Sequence, residues 1–284
     1  MDLLAIFAAV FAGVVLGGPA YFTTATYLLA SRHWAARPFS RTLVEALREF
    51  AWSVVLVVLI PWLYFFGRRL GKGRGTVPVV FVHGYTQNRS NFLRMARIVG
   101  RGAAGPMYGF NYNSLLSVES CAASLGRFVD RVLGETGAKQ VDLVCHSMGG
   151  LVARAMLEDG GAAKVRSVAT IGTPHAGVTW RLPMPGAGVS QMRRGSAFLA
   201  ALAQPLPVPF LSLYSTHDNI VHPPKASSVE PFGGADHVIE GGHGHLALLF
   251  APEVGELVRR FLESQPTPAQ LPAAAEAEAG KKAG

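Results

Sequence analysis

Between Asp2 and Arg32 the chain carries no charged residue, and an almost unbroken apolar run fills positions 3–30. As a helix rising about 1.5 Å per residue, such a run exceeds a hydrocarbon core of about 30 Å. A retained membrane span is expected, because a signal peptide would carry positive charge ahead of the run and only Asp2 stands there. A second uncharged stretch, residues 50–67, is centred on AWSVVLVVLIPWLYFF and lies near the minimum length for a span. Pro61 is expected to kink it, while Trp62 and Tyr64 suit a membrane interface. Between the two runs, RTLVEALREF (Arg41 to Phe50) has helical spacing with its charges on one side. It is expected to lie along a membrane surface.

From Thr76 the pattern changes to alternating short apolar runs and amphipathic stretches. VPVVFVHG, PMYGFNYN, VDLVCHS, VRSVATIGT, FLSLYST and HVIE predict strands. Asn91 to Gly100, Val118 to Leu133, MGGLVARAMLED and VGELVRRFLES predict helices. This alternation predicts an α/β fold, a mostly parallel sheet with helices on both faces, whose strand C-termini share one edge. The last stretch, residues 265–284, is rich in Pro, Ala and charge and reads as a disordered tail. Three units are therefore expected: an N-terminal helical membrane region (1–75), a catalytic unit (76–264) and the tail (265–284).

Composition sharpens this picture. Half the residues are hydrophobic and 15% are charged, against about 25% charged in soluble domains. Of the net charge of +8, most falls in residues 32–74, where eight basic residues face Glu45 and Glu49. Because they flank apolar runs, these cations read as membrane-edge charges; no basic-aromatic motif accompanies them, and no nucleic-acid partner is expected. Four basic residues precede the second run and four follow it, so neither side of the membrane is favoured. Cys121 and Cys145 show no metal-ligand spacing, and Cys145 reads as a small buried hydrophobe.

The chemistry-bearing signal is Cys145-His146-Ser147-Met148-Gly149-Gly150, where an apolar strand hands over to a helix. A serine on such a sharp turn is pushed out above the sheet edge, and its neighbours two residues either side must be small. The usual G-x-S-x-G pattern has Cys145 in place of the first glycine. Serine is a weak nucleophile without a base and an orienting acid. Asp218 follows FLSLYST almost directly, at the edge where Ser147 sits, while Glu158, Asp159 and Asp236 read as surface carboxylates. GGHGHLALL offers His243 and His245, of which His245, directly before the helical LALL, is the better base. The H-x-H pair also suits a metal, but no further ligands accompany it. His175 precedes Asp218 and reads as structural support; His217 and His222 are expected to position the acid loop. Backbone donors for an oxyanion are expected from Met148, after the nucleophile, and from Tyr85 in the loop HGYT.

VVFVHGYTQNRSNF, VCHSMGG, IGTPHAG, STHDNIV and GGHGHLALL, in this order, resemble the α/β-hydrolase superfamily, and more narrowly its compact bacterial lipase/esterase family. The resemblance covers about residues 76–264. It implies an α/β-hydrolase fold, a Ser147, Asp218, His245 triad, an oxyanion hole at Tyr85 and Met148, and no cofactor or metal. Cys145 and the long N-terminal extension depart from the family pattern. The segment from Val178 to Pro209, rich in Trp180, Leu182, Met184, Met192 and Phe198, is expected as a lid or acyl-chain wall, with QMRRGSAFLAALA as a core-packing helix.

The expected function is a membrane-anchored serine hydrolase acting on carboxylic esters, with lipid or small esters as substrate and a bacterial inner membrane as location. An acyltransferase or phospholipase with the same triad, and a non-catalytic membrane binding module, are the alternatives.

Overall fold

A computed structural model describes residues 2–34, 38–63 and 67–266. The expected tail beyond Pro266 lies outside the described residues. In chain order the elements are α1 (Leu3–Ala12), a wider helical turn over Gly13–Gly17, α2 (Gly18–Ala30), α3 (Phe39–Leu63), β1 (Arg69–Gly71), β2 (Val79–Val82), α4 (Leu93–Val99) and β3 (Met107–Phe110). There follow α5 (Val118–Thr136), β4 (Val141–His146), α6 (Met148–Met156), β5 (Val165–Ile171), α7 (Ala187–Gln191) and α8 (Ala197–Ala201). β6 (Phe210–Ser215), β7 (Ala235–Ile239), α9 (Ala247–Phe250) and α10 (Pro252–Ser264) complete the order.

Seven strands form one sheet in the order β1-β3-β2-β4-β5-β6-β7. All neighbours pair in parallel except β1, which is antiparallel to β3. Alternation along β2 divides the core between the two faces. Val80 and Val82 join the cluster beneath α5 and α6, while Val79 and Phe81 join the one beneath α4, α9 and α10. Every residue of β2, β3 and β4 is buried, as a doubly covered parallel sheet requires. Local signals set the helix ends: the Ser117 side chain accepts the Ser120 N–H ahead of α5, and Gly137 closes that helix in the left-handed region. β1 was not expected, since its three residues are too few to show a pattern.

The N-terminal region departs from the sequence reading in two ways. First, the described part of the second apolar stretch, residues 50–63, is not a separate element. It continues the helix that starts at Phe39, and α3 runs through Pro61 to Leu63. Ala9–His33 is long and apolar enough to cross a membrane, the one such helix among the described residues. Second, the charged face of Arg41 to Phe50 does not all point to solvent. Glu45 and Glu49 are buried, whereas Phe39, Leu43, Val44 and Leu47 are exposed. The helix packs on α2 and on α9, with Trp52 stacked on Phe250 at 3.8 Å between ring centroids. Its polar stripe is therefore the side that docks on the rest of the protein.

Of the expected helix over QMRRGSAFLAALA only Ala197–Ala201 forms, as α8; Gln191 is the last residue of α7, and Gly195 breaks the segment between them with a left-handed φ of 79°. Cys121 and Cys145 are both free and buried.

Candidate active site

Ser147 stands between β4 and α6 with φ 53° and ψ −127°. For a non-glycine residue this backbone costs on the order of 1–3 kcal/mol, so the surroundings must hold it. They do so at both ends: the Ser147 N–H donates to Ile171 O at 2.9 Å, and the Thr173 hydroxyl donates to Ser147 O at 2.8 Å. The close approach of α6 to β2 explains Gly149, where a Cβ would sit 2.4 Å from the Val82 carbonyl oxygen. Cys145 is fully buried in the core on the strand side of this turn, so a small thiol fits where the usual pattern has glycine. Burial raises its thiol pKa well above the ordinary value, and it stays neutral.

Asp218 follows β6 and is 1% exposed. Its Oδ1 accepts the N–H groups of Ile220 and Val221, both at 2.8 Å, and its Oδ2 accepts the His245 Nδ1–H at 2.8 Å. This leaves His245 Nε2 without a hydrogen-bond partner among the described residues. Burial alone would lower the imidazole pKa, but the Asp218 charge and hydrogen bond, with a further contribution from Glu49, raise it above 6.5. At Gly172, left-handed with φ 57°, a Cβ would lie 3.1 Å from both Asp218 Oδ2 and His245 Nδ1. A side chain there would press on the pair.

Ser147 and His245 line one cavity of about 310 Å³. No hydrogen bond joins the two among the described residues; such contacts commonly tighten only with substrate in place. Tyr85 lines the same cavity, and Trp180, Met184 and Met192 place the Val178 to Pro209 segment in its wall. Opposite walls come from Val14, Gly18 and Phe22 of the N-terminal helices and from Leu56 of α3. A larger open cleft of about 860 Å³, beside Glu119, Glu158 and Asp159, holds none of the chemistry-bearing groups.

The Tyr85 and Met148 amides donate to no acceptor among the described residues. Met148 opens α6, where a helix N-terminus favours negative charge. Tyr85 is fixed on both sides: the Gly84 N–H donates to Gln87 Oε1 at 2.9 Å and the Thr86 N–H to Ser114 Oγ at 2.9 Å. Both amides are thus free to meet an oxyanion.

The remaining candidates fall elsewhere. His243 pairs with Glu253 at 2.6 Å rather than with Asp218. His175 is buried between Arg154 and Thr170, and burial holds its pKa well below 6.5. His217 and His222 do flank the acid loop, where His217 meets Trp34 edge-on and His222 stacks on His33. Asp236 on β7 accepts from Tyr214 and from the Val229 N–H. Among the described residues, no group of three or more His, Cys, Asp or Glu side chains is arranged to hold a metal ion.

Sequence reasoning overlooked several supporting groups. His146 Nε2 contacts the His245 carbonyl at 3.2 Å, and its Nδ1 contacts Gln87 Oε1 at 3.0 Å, which ties the elbow to the base loop and the Tyr85 loop. Asn219 Oδ1 accepts the His245 N–H at 2.9 Å, and Glu49 accepts the next two amides. Gln87, His146 and Asn219 each lie within a motif already singled out, so proximity in sequence was their signal. Glu49 had none of that kind.

A family model described as alpha/beta hydrolase fold matches residues 77–205. A lysosomal thioesterase, PPT2-B of Xenopus laevis, is 28% identical over 86 residues, covering 28% of this chain and 30% of that protein. Among solved structures, Aspergillus fumigatus lipase B superposes with a TM-score of 0.57 at 18% identity, over 69% of this chain and 55% of that one. The mature Bacillus licheniformis lipase BlEst2 does so with a TM-score of 0.53 at 17% identity, over 68% and 93%. The chain thus spans under a third of the thioesterase and just over half of the fungal lipase. With the parallel sheet, the strained serine turn and the family model in agreement, the chain has the α/β-hydrolase fold.

Proposed function

We propose that this protein is a membrane-anchored serine hydrolase of carboxylic esters, with lipid esters as its substrate class. The observation that carries the reading is the Asp218–His245 hydrogen bond of 2.8 Å beside a strained Ser147 on one apolar cavity. Ser147 Oγ attacks the ester carbonyl carbon as His245 Nε2 takes its proton, and the carbonyl electrons move onto an oxygen held by the Tyr85 and Met148 amides. The intermediate collapses, and His245 returns the proton to the leaving alcohol. Water, deprotonated by the same nitrogen, then attacks the acyl-serine and frees the acid. Asp218 holds the imidazole tautomer and stabilises its cation.

The lipid class follows from the cavity's apolar walls, several of which belong to the N-terminal helices. The anchor follows from Ala9–His33 together with the exposed apolar side chains Val10, Phe11, Val14, Leu43, Val44 and Leu47. In this reading residues 1–75 face the membrane and residues 76–264 do the chemistry. Detergent-purified protein should hydrolyse p-nitrophenyl esters, and Ser147→Ala should lower kcat by about a thousandfold or more. Activity in Ser147→Ala like that of the wild type would remove Ser147 as the nucleophile. A panel of acylglycerols, phospholipids and acyl thioesters, run beside Ser147→Ala, identifies the preferred ester.

A further inference from the structure

We infer that Glu49, contributed by the N-terminal helix α3, is a positioning residue of the active site: its carboxylate fixes the loop that carries His245. The inference rests on the hydrolase reading and deepens it, because it makes the membrane-facing helices part of the catalytic apparatus rather than a tether.

Three successive main-chain amides at the base loop are each held by a side-chain oxygen. The His245 N–H donates to Asn219 Oδ1 at 2.9 Å, the Leu246 N–H to Glu49 Oε1 at 2.6 Å and the Ala247 N–H to Glu49 Oε2 at 3.0 Å. These are orphan donors at the start of α9, a helix of four residues that cannot order itself. Asn219 is in turn held by the Thr26 hydroxyl of α2, its Nδ2 donating at 2.8 Å. Both clamps therefore end on the N-terminal helices. The fit is close, since a Cβ on Gly244 would lie 2.7 Å from Glu49 Oε2.

Glu49 is 1% exposed, and among the described residues the imidazole it supports is the cationic group that acts on it. The titratable groups that act on it are His245 and Asp218; Glu45 and Arg48 share its helix, and His146 touches the His245 carbonyl. Burial raises the Glu49 pKa to about 7, despite the two amide bonds that favour the anion. The anion in turn raises the His245 pKa. Because Glu49 is part-ionised near pH 7, where the imidazole also titrates, removing its charge lowers the His245 pKa and leaves His245 neutral, hence competent as a base, at lower pH. A glutamine has one acceptor oxygen for two donors and sets its own NH₂ against the second. An aspartate keeps the charge but falls short.

The test is the pH profile of kcat/KM for p-nitrophenyl ester hydrolysis by the full-length, detergent-purified protein. Glu49→Gln should lower kcat by about ten- to a hundredfold, as a displaced catalytic group does, with KM nearly unchanged. Its acid limb should move to lower pH than in the wild type. Glu49→Asp should place the limb between the two, and its shift relative to wild type serves alone if Glu49→Gln does not fold. An unmoved acid limb, whether activity is kept or lost, would assign Glu49 a purely structural role and overturn the inference. Ser147→Ala runs alongside: activity surviving there sinks the hydrolase reading and this inference with it. An inactive Ser147→Ala beside an unmoved limb sinks this inference alone.

Discussion

Asp218 divides its two oxygens between separate tasks, one binding the Ile220 and Val221 amides and the other the His245 imidazole. Asp218→Asn can preserve the first task with its carbonyl oxygen while presenting an NH₂ to Nδ1, which selects the wrong imidazole tautomer. The variant should keep its circular dichroism spectrum and lose about ten-thousandfold in kcat; a loss of less than tenfold would deny Asp218 its part. At this scale Ser147, Asp218 and His245 were legible as candidates, because each stands close after an apolar strand or within a glycine-rich turn. His243 and His245 could not be separated with certainty by sequence, since both sit in the same glycine-rich loop. The structure separates them by partner, Glu253 for one and Asp218 for the other. Glu49 was misread as a membrane-surface charge because a carboxylate among apolar residues looks exposed by default. The available clue was spacing: Glu45, Glu49 and Ser53 recur every four residues, a polar stripe along one side of the helix.

Among the elements, those of residues 79–264 were legible wherever burial on two faces wrote continuous apolar runs, as in β2, β4 and β5. β1 left no trace, being a three-residue edge strand. α3 was divided in two because hydropathy changes at Phe50 while the backbone hydrogen bonding does not. The contact of α6 with β2 is a close one that the serine turn imposes. Gly149→Ala puts a methyl group against the Val82 and His83 carbonyl oxygens. It should cost about 1–3 kcal/mol, as overpacking does, and lower the unfolding temperature. An unchanged transition would show that the helix can move away from the sheet and that the turn is not held as described.

Taken as one molecule, the protein places its N-terminal helices over the edge where the Asp218 and His245 loops emerge. Thr26 meets Asn219, His33 meets His222, Trp34 meets His217 and Trp52 meets Phe250. The outer sides of the same helices are apolar. This arrangement couples stability to pH through Glu49. Its carboxyl, raised from 4.5 to about 7, holds its proton more tightly folded than unfolded. That contribution is complete below the unfolded value and is lost as pH rises through the folded one. Unfolding free energy should therefore fall by on the order of 3 kcal/mol between about pH 4.5 and 7 through this group. Thermal unfolding across that range should show a decline in the wild type that Glu49→Gln flattens; parallel curves would contradict the burial of a titrating carboxyl. The sequence could not show this docking, because it depends on contacts between residues nearly two hundred positions apart.

The most direct test of the central claim is covalent. Purified protein treated with a fluorophosphonate and digested should yield a single adduct, on the peptide containing Ser147, formed far more slowly in His245→Ala. An adduct on another residue, or none on folded protein, would contradict the account.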